Sequence, residues 1–121
     1  MNVLIVESNA DLARIWARHL ERQGVQVEIA SGQSDAIESL QRAEPNLIVL
    51  GLLLDEGSAL AVSDYAQYRH PETKVIITSN SRFFSDGSIF QHAANACAFL
   101  PNEVEPDDLT AMVEHFGQTS R

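Results

Sequence analysis

The sequence predicts an α/β domain built on a doubly wound, five-stranded parallel sheet with helices on both faces. Short apolar runs rich in β-branched residues occur five times along the chain, and segments of helical spacing separate them. Each intervening segment is long enough for a crossover, and right-handed crossovers place helices on both sides of a parallel sheet. With 121 residues, 45% of them hydrophobic, there is material for one core, so a single domain over residues 1–121 is expected.

Val3 to Val6 is the first strand. Ser8 or Asn9 then caps a helix that carries Leu12, Ile15, Trp16 and Leu20 on one face and stops at Gly24. Val25 to Ala30 alternates Val25, Val27 and Ile29 with polar residues, the pattern of an edge strand. Ser34 opens a second helix with Ile37 and Leu40 inward, and Ala43-Glu44-Pro45 closes it. Leu47 to Leu50 has no polar interruption, as a central strand buried on both faces requires. Gly57-Ser58 starts a third helix bearing Leu60, Ala61, Tyr65 and Tyr68, which ends at His70-Pro71-Glu72-Thr73, and Val75 to Thr78 is the fourth strand. A segment with Ile89, Phe90 and Ala93 precedes a brief strand at Ala98-Phe99-Leu100. Pro106, Asp107 and Asp108 introduce a last helix with Leu109, Met112, Val113 and Phe116 in i, i+3, i+4, i+7 register, fraying after Gly117.

Composition narrows the function. Eight Lys plus Arg stand against seventeen Asp plus Glu, a formal charge of −9 that repels a phosphate backbone, so no direct nucleic-acid partner is expected. The single cysteine, Cys97, excludes an internal disulfide and a multi-thiolate zinc site and suits the cytoplasm; before a buried strand it reads as a small core residue. The N-terminal apolar run meets Glu7 too early for an export signal or a membrane span. Four histidines with no i, i+4 pair give no metal cluster, and no Gly-rich phosphate loop or Ser-His-Asp spacing is present, so neither a cofactor nor an enzyme activity is expected. Lys74 is the only lysine.

In an open parallel sheet a site forms outside the C-terminal strand ends, here at Glu7, Gly51, Ser79 and Asn102. At those positions, and across essentially the whole chain, the sequence resembles the receiver domain of bacterial two-component response regulators. Val3 to Asn9 resembles the family's first strand and acidic pair, Asn46 to Leu60 its phosphoacceptor strand and loop, and Lys74 to Asn80 its fourth strand; Phe99 to Leu109 completes the match. The resemblance implies the flavodoxin-like strand order 2-1-3-4-5.

It also implies chemistry that this chain departs from. The family's metal-holding carboxylate pair is Glu7 and Ser8 here, which leaves a hard cation few charged ligands, so magnesium affinity is expected to be poor and no metal site is assigned. The phosphoacceptor aspartate position is Gly51, which has no side chain to form an acyl phosphate. The phosphate-pairing lysine position is Asn102, and Lys74 cannot substitute, since it starts the fourth strand on the opposite edge of the sheet from the site. Only the hydroxyl position survives, as Ser79, with Thr78 before it. Asp55 and Glu56 read as solvated loop acids at the start of the next helix, and Glu7 reads as a carboxylate satisfied by backbone N–H groups near the first helix, with a remnant metal ligand as the alternative.

The expected function is therefore a stand-alone pseudo-receiver that takes up no phosphate and acts through protein contacts, with a histidine kinase, another regulator or a second copy as partner. Two rivals stand beside it: a receiver that still binds phosphate or metal non-covalently through Glu7, Ser79 and Asn102, and a small-molecule sensor that uses the emptied crevice. Phe99 takes the place of the family's switch aromatic, or is simply packed in one position. Phe83 and Phe84 either anchor a partner or fold over the vacant pocket.

Overall fold

Alternation along the strands sorts the apolar side chains into two layers, one on each side of the sheet. The computed structural model describes residues 1–79 and 96–118. It contains β1 (Asn2–Val6), α1 (Ala10–Arg22), β2 (Gln26–Ala30), α2 (Gln33–Arg42), β3 (Leu47–Gly51), α3 (Ala59–Arg69), β4 (Lys74–Ser79), β5 (Ala96–Pro101) and α4 (Pro106–Gln118). The strands lie in the order β2-β1-β3-β4-β5 and every neighbouring pair is parallel, as the sequence predicts.

On one face Leu4, Val6, Ile48, Leu50, Val75 and Ile77 pack against Ala36 and Leu40 of α2 and Val62 and Ala66 of α3. On the other, Val3, Ile5, Leu47, Val49 and Ile76 meet Ala13, Trp16, Ala17 and Leu20 of α1 with Leu109 and Val113 of α4. Because successive side chains point to opposite faces, each strand feeds both layers and no polar side is left on β1 or β3. β2 lies at the sheet edge, and Ile29 is exposed.

Two helices present faces other than those the sequence predicts. Ile15 is 46% exposed, because the buried stripe of α1 runs Ala13, Trp16, Ala17, Leu20 and small alanines take positions assigned to a larger side chain. Tyr68 is 84% exposed, and α3 buries Ala59, Val62, Ser63 and Ala66 instead, so Tyr65 and Leu60 sit at the margin. In both cases the side of the helix that faces the sheet carries small residues beside a few large ones, Trp16 and Leu20 in α1 and Val62 in α3. Trp16 belongs to the core. Phe83 and Phe84 lie outside the described residues.

Caps match the sequence signals only in part. The Asn9 side chain accepts from the Leu12 N–H at the start of α1, and Gly24 follows that helix with φ of 84°. α2 begins at Gln33 rather than Ser34, and its N-cap Gly32 supplies no side-chain bond. Glu56, from the loop after β3, does so instead: its carboxylate accepts the Ser34 N–H at 2.9 Å and the Ser34 hydroxyl at 3.1 Å, while its carbonyl accepts the Gln33 N–H. Gln33 returns the contact by accepting the Ser58 N–H at 2.8 Å. Gly57 sits between at φ of 83°, against the Gln33 side chain, so a Cβ there meets both backbone strain and a neighbour. Glu56 is thus a cap for α2, not for the helix that follows it. Glu56→Ala is expected to lower unfolding free energy by about 1 kcal/mol, read as a lower urea midpoint at unchanged slope.

Candidate functional site

Parallel register brings the C-terminal ends of β1 and β3 side by side, with Val6 opposite Leu50. One residue further, Glu7 and Gly51 share a face of the sheet. Gly51 has no Cβ, and an ideal Cβ built there would lie 2.8 Å from Glu7 Oε1 and 3.3 Å from the Val6 carbonyl oxygen. The Glu7 carboxylate therefore fills the space a side chain at position 51 would enter. Its exposure is only 6%.

A buried carboxylate needs donors, and the turn into α1 provides them. The Asn9 N–H donates to Glu7 Oε2 at 3.0 Å, and the Ser8 N–H also bonds the carboxylate. These donors sit at the positive end of α1. Burial nevertheless pushes the Glu7 carboxyl above its ordinary value of 4.5, and the Asp55 charge adds to the rise, while the two N–H groups oppose it.

Ser8 is occupied on both sides. Its hydroxyl donates to the Ser31 carbonyl at 2.7 Å and accepts the Asp55 N–H at 2.9 Å, which ties the loops after β1, β2 and β3 together. Asp55 itself is an exposed loop acid, and it lines the crevice beside Glu7, Gly51, Thr78, Ser79 and Asn102. The crevice measures about 240 Å³. Its floor is held by backbone: the Leu52 N–H donates to the Thr78 carbonyl and the Asn102 N–H to the Ser79 carbonyl. Lys74 pairs with Leu47 at the far end of the strands from Gly51 and Thr78, and cannot reach this crevice.

Thr78 is a feature the sequence gives little reason to single out. Its side chain is fully buried at the end of β4, and its Oγ1 has no hydrogen-bond partner among the described residues; the Asn102 Oδ1 is likewise buried and unpartnered among them. Each such group costs on the order of 1–3 kcal/mol relative to a satisfied one. The one available signal is a hydroxyl, with that of Ser79 next to it, after the apolar run Val75-Ile76-Ile77. Cys97 lies in β5, where burial raises its thiol to about 11 and keeps it unreactive.

A hard divalent cation, which the resembled fold implies, fits these residues poorly. Ser8 is consumed by two loop bonds, and no group of three or more His, Cys, Asp or Glu side chains suited to a metal exists among the described residues.

A model of the response regulator receiver domain matches residues 3–114. The chain belongs to that family. It is a receiver domain of the two-component response regulator class, a signalling module. It is 33% identical over 75 residues to the photosynthetic apparatus regulatory protein RegA of Rhodobacter capsulatus, covering 62% of this chain and 40% of that protein. It is 28% identical over 112 residues to the luminescence regulatory protein LuxO of Vibrio campbellii, covering 92% of this chain and 24% of that protein. The chain thus spans less than half the length of these relatives. Among solved structures, a CheY-like receiver domain protein from Methanospirillum hungatei JF-1 superposes with a TM-score of 0.89 at 22% identity, covering 98% of this chain and 94% of that one. The signal receiver domain of a putative Luxo repressor protein from Vibrio parahaemolyticus gives 0.87 at 25%, covering 98% and 91%. No described helix is long and apolar enough to cross a membrane.

The Glu7 burial in this receiver domain has a pH signature. For an acid whose native pKa lies above its unfolded value, the folded state holds more protons between the two. Stability therefore falls as pH rises from about 4.5 through the native value, and the penalty is absent below it. Glu7→Gln keeps an acceptor for the Asn9 N–H and removes the titration. Denaturation between about pH 4 and pH 7 should show the wild type losing stability relative to Glu7→Gln as pH increases; a constant difference contradicts this account.

Proposed function

We propose that this receiver domain, acting as one domain over residues 1–121 in the cytoplasm, signals without phosphoryl transfer, through contacts with proteins of a two-component pathway. The partners by this reading are a histidine kinase, another regulator or a second copy of the chain. It has no enzymatic role of its own. The observation that carries the reading is the pairing of Gly51 with Glu7. Position 51 has no oxygen to attack phosphorus, and the carboxylate that fills its place is turned toward N–H groups at the start of α1.

The remaining positions support the same reading. Phosphoryl transfer depends on positive charge placed against the phosphoryl oxygens. Asn102 carries none, Lys74 is at the wrong end of the sheet, and the described crevice lining contributes two carboxylates instead. A non-covalent phosphate site through Glu7, Ser79 and Asn102 meets the same objection. Phe99 packs inward against the α2–α3 side of the core, and this supports a β5 surface held in one arrangement.

Incubation with a small-molecule phosphodonor and magnesium, followed by intact mass, tests the proposal. The wild type is expected to stay at its unmodified mass. Gly51→Asp alone is expected to remain unmodified too, because the new side chain competes with Glu7 for one space and Asn102 supplies no charge. Adding Asn102→Lys to that variant should raise the modified fraction. A phosphoryl adduct on the wild type, lost in Glu7→Gln, would overturn the reading.

A further inference from the structure

We propose that the crevice beyond β1, β3 and β4 receives a guanidinium group, with Glu7 as counter-ion and the Thr78 hydroxyl and Asn102 amide oxygen as acceptors. The argument is one of unmet hydrogen-bonding capacity. Thr78 Oγ1 and Asn102 Oδ1 are buried and have no partner among the described residues, and both residues line the crevice that Glu7 and Asp55 also line. Acceptors in such a place require donors. The described lining residues include two acids, Glu7 and Asp55, and no Lys, Arg or His, so the missing donors should come with positive charge.

Three classes of occupant can be weighed on that ground. Phosphate is anionic, the wrong sign beside Glu7 and Asp55, even though a hydroxyl can donate to it. A divalent metal ion favours six or more oxygens with several charged, and here Ser8 is committed to the Ser31 carbonyl and the Asp55 N–H. A guanidinium is planar, carries five donors, and is weakly hydrated, so it gives up water readily and matches a carboxylate in a two-bond fork. A crevice of about 240 Å³ accommodates the group with a short alkyl stem. The stem can belong to a free small molecule or to an arginine side chain of a protein partner. The proposal deepens the reading of a phosphate-free receiver and rests on it.

The full chain, labelled with 15N, is titrated with methylguanidinium and separately with N-acetylarginine amide, with magnesium chloride at matched ionic strength as a third arm. Saturable shifts are expected at the amides of Glu7, Asn9, Thr78 and Asn102. Thr78→Val, nearly the same shape without the hydroxyl, and Glu7→Gln should each weaken binding at least tenfold while amides remote from the crevice keep their positions. Either guanidinium compound saturating supports the site: tighter binding of the capped arginine assigns the source to a partner's side chain, and equal binding assigns it to a free ligand. Non-saturating shifts, unchanged binding in Thr78→Val, or magnesium saturating the same amides at lower concentration would each overturn it. A phosphoryl adduct in the mass experiment removes the phosphate-free reading by itself, whereas absent guanidinium saturation with no adduct removes only the guanidinium site.

Discussion

The parallel register of β1 against β3 governs the site. It sets Glu7 beside Gly51 on one face of the sheet, and the absence of a Cβ at Gly51 lets the glutamate turn inward rather than out to solvent. Once inward, the carboxylate loses water and must find donors; the first turn of α1 supplies them through Asn9 and Ser8. The start of α1, the end of β1 and the end of β3 are therefore linked by one side chain. A larger residue at position 51 presses on that carboxylate and on the Val6 carbonyl together, so positions 7 and 51 are coupled sterically as well as electrostatically.

Around this pair, the loops that follow the first three strands are tied to one another by hydrogen bonds. Ser8 bridges the Ser31 carbonyl and the Asp55 N–H, Glu56 caps α2, and Gln33 accepts from Ser58. Each bond is worth little on its own, about 1 kcal/mol net, but they share residues and so act on the same loop geometry. The loop carrying Asp55 and Glu56 is positioned from two directions, by β1 through Ser8 and by α2 through Ser34. This gives the crevice a wall that exists before anything enters it, which lowers the ordering cost of binding.

The sequence makes the framework legible because strand alternation and helical spacing are local signals. Val3 to Val6, Leu47 to Leu50 and Val75 to Thr78 declare their burial directly, and Pro106 with Asp107 and Asp108 marks the start of α4. The wrong faces at Ile15 and Tyr68 come from giving every large apolar residue priority, where the buried stripes instead take in Ala13, Ala17, Ala59 and Ala66. At the site, the identities of the residues are legible and their contacts are not. That Gly51 offers no side chain and Asn102 no charge is read from identity alone. That Glu7 occupies the Gly51 space and that Ser8 and Glu56 fasten neighbouring loops depend on contacts 22 to 47 residues apart in the chain. No local pattern encodes those.

Charge supplies the last step. An oxyanion entering the crevice would approach two acids, Glu7 and Asp55, on a chain whose formal charge is −9, with neutral Asn102 where positive charge would be needed. Screening weakens the distant part of that field over about 8 Å at physiological salt, but a group inside the crevice is closer than that to both carboxylates. Burial of Glu7 already raises its pKa, so an added negative charge would push it toward protonation, whereas a cation would draw it back toward its ordinary range. The protonation state of this one carboxyl therefore depends on the sign of what occupies the crevice, and the backbone bonds from Leu52 to Thr78 and from Asn102 to Ser79 join that location to β4 and β5. A change at Glu7 thus meets a hydrogen-bonded frame that leads to the strand bearing Phe99, three residues before Asn102.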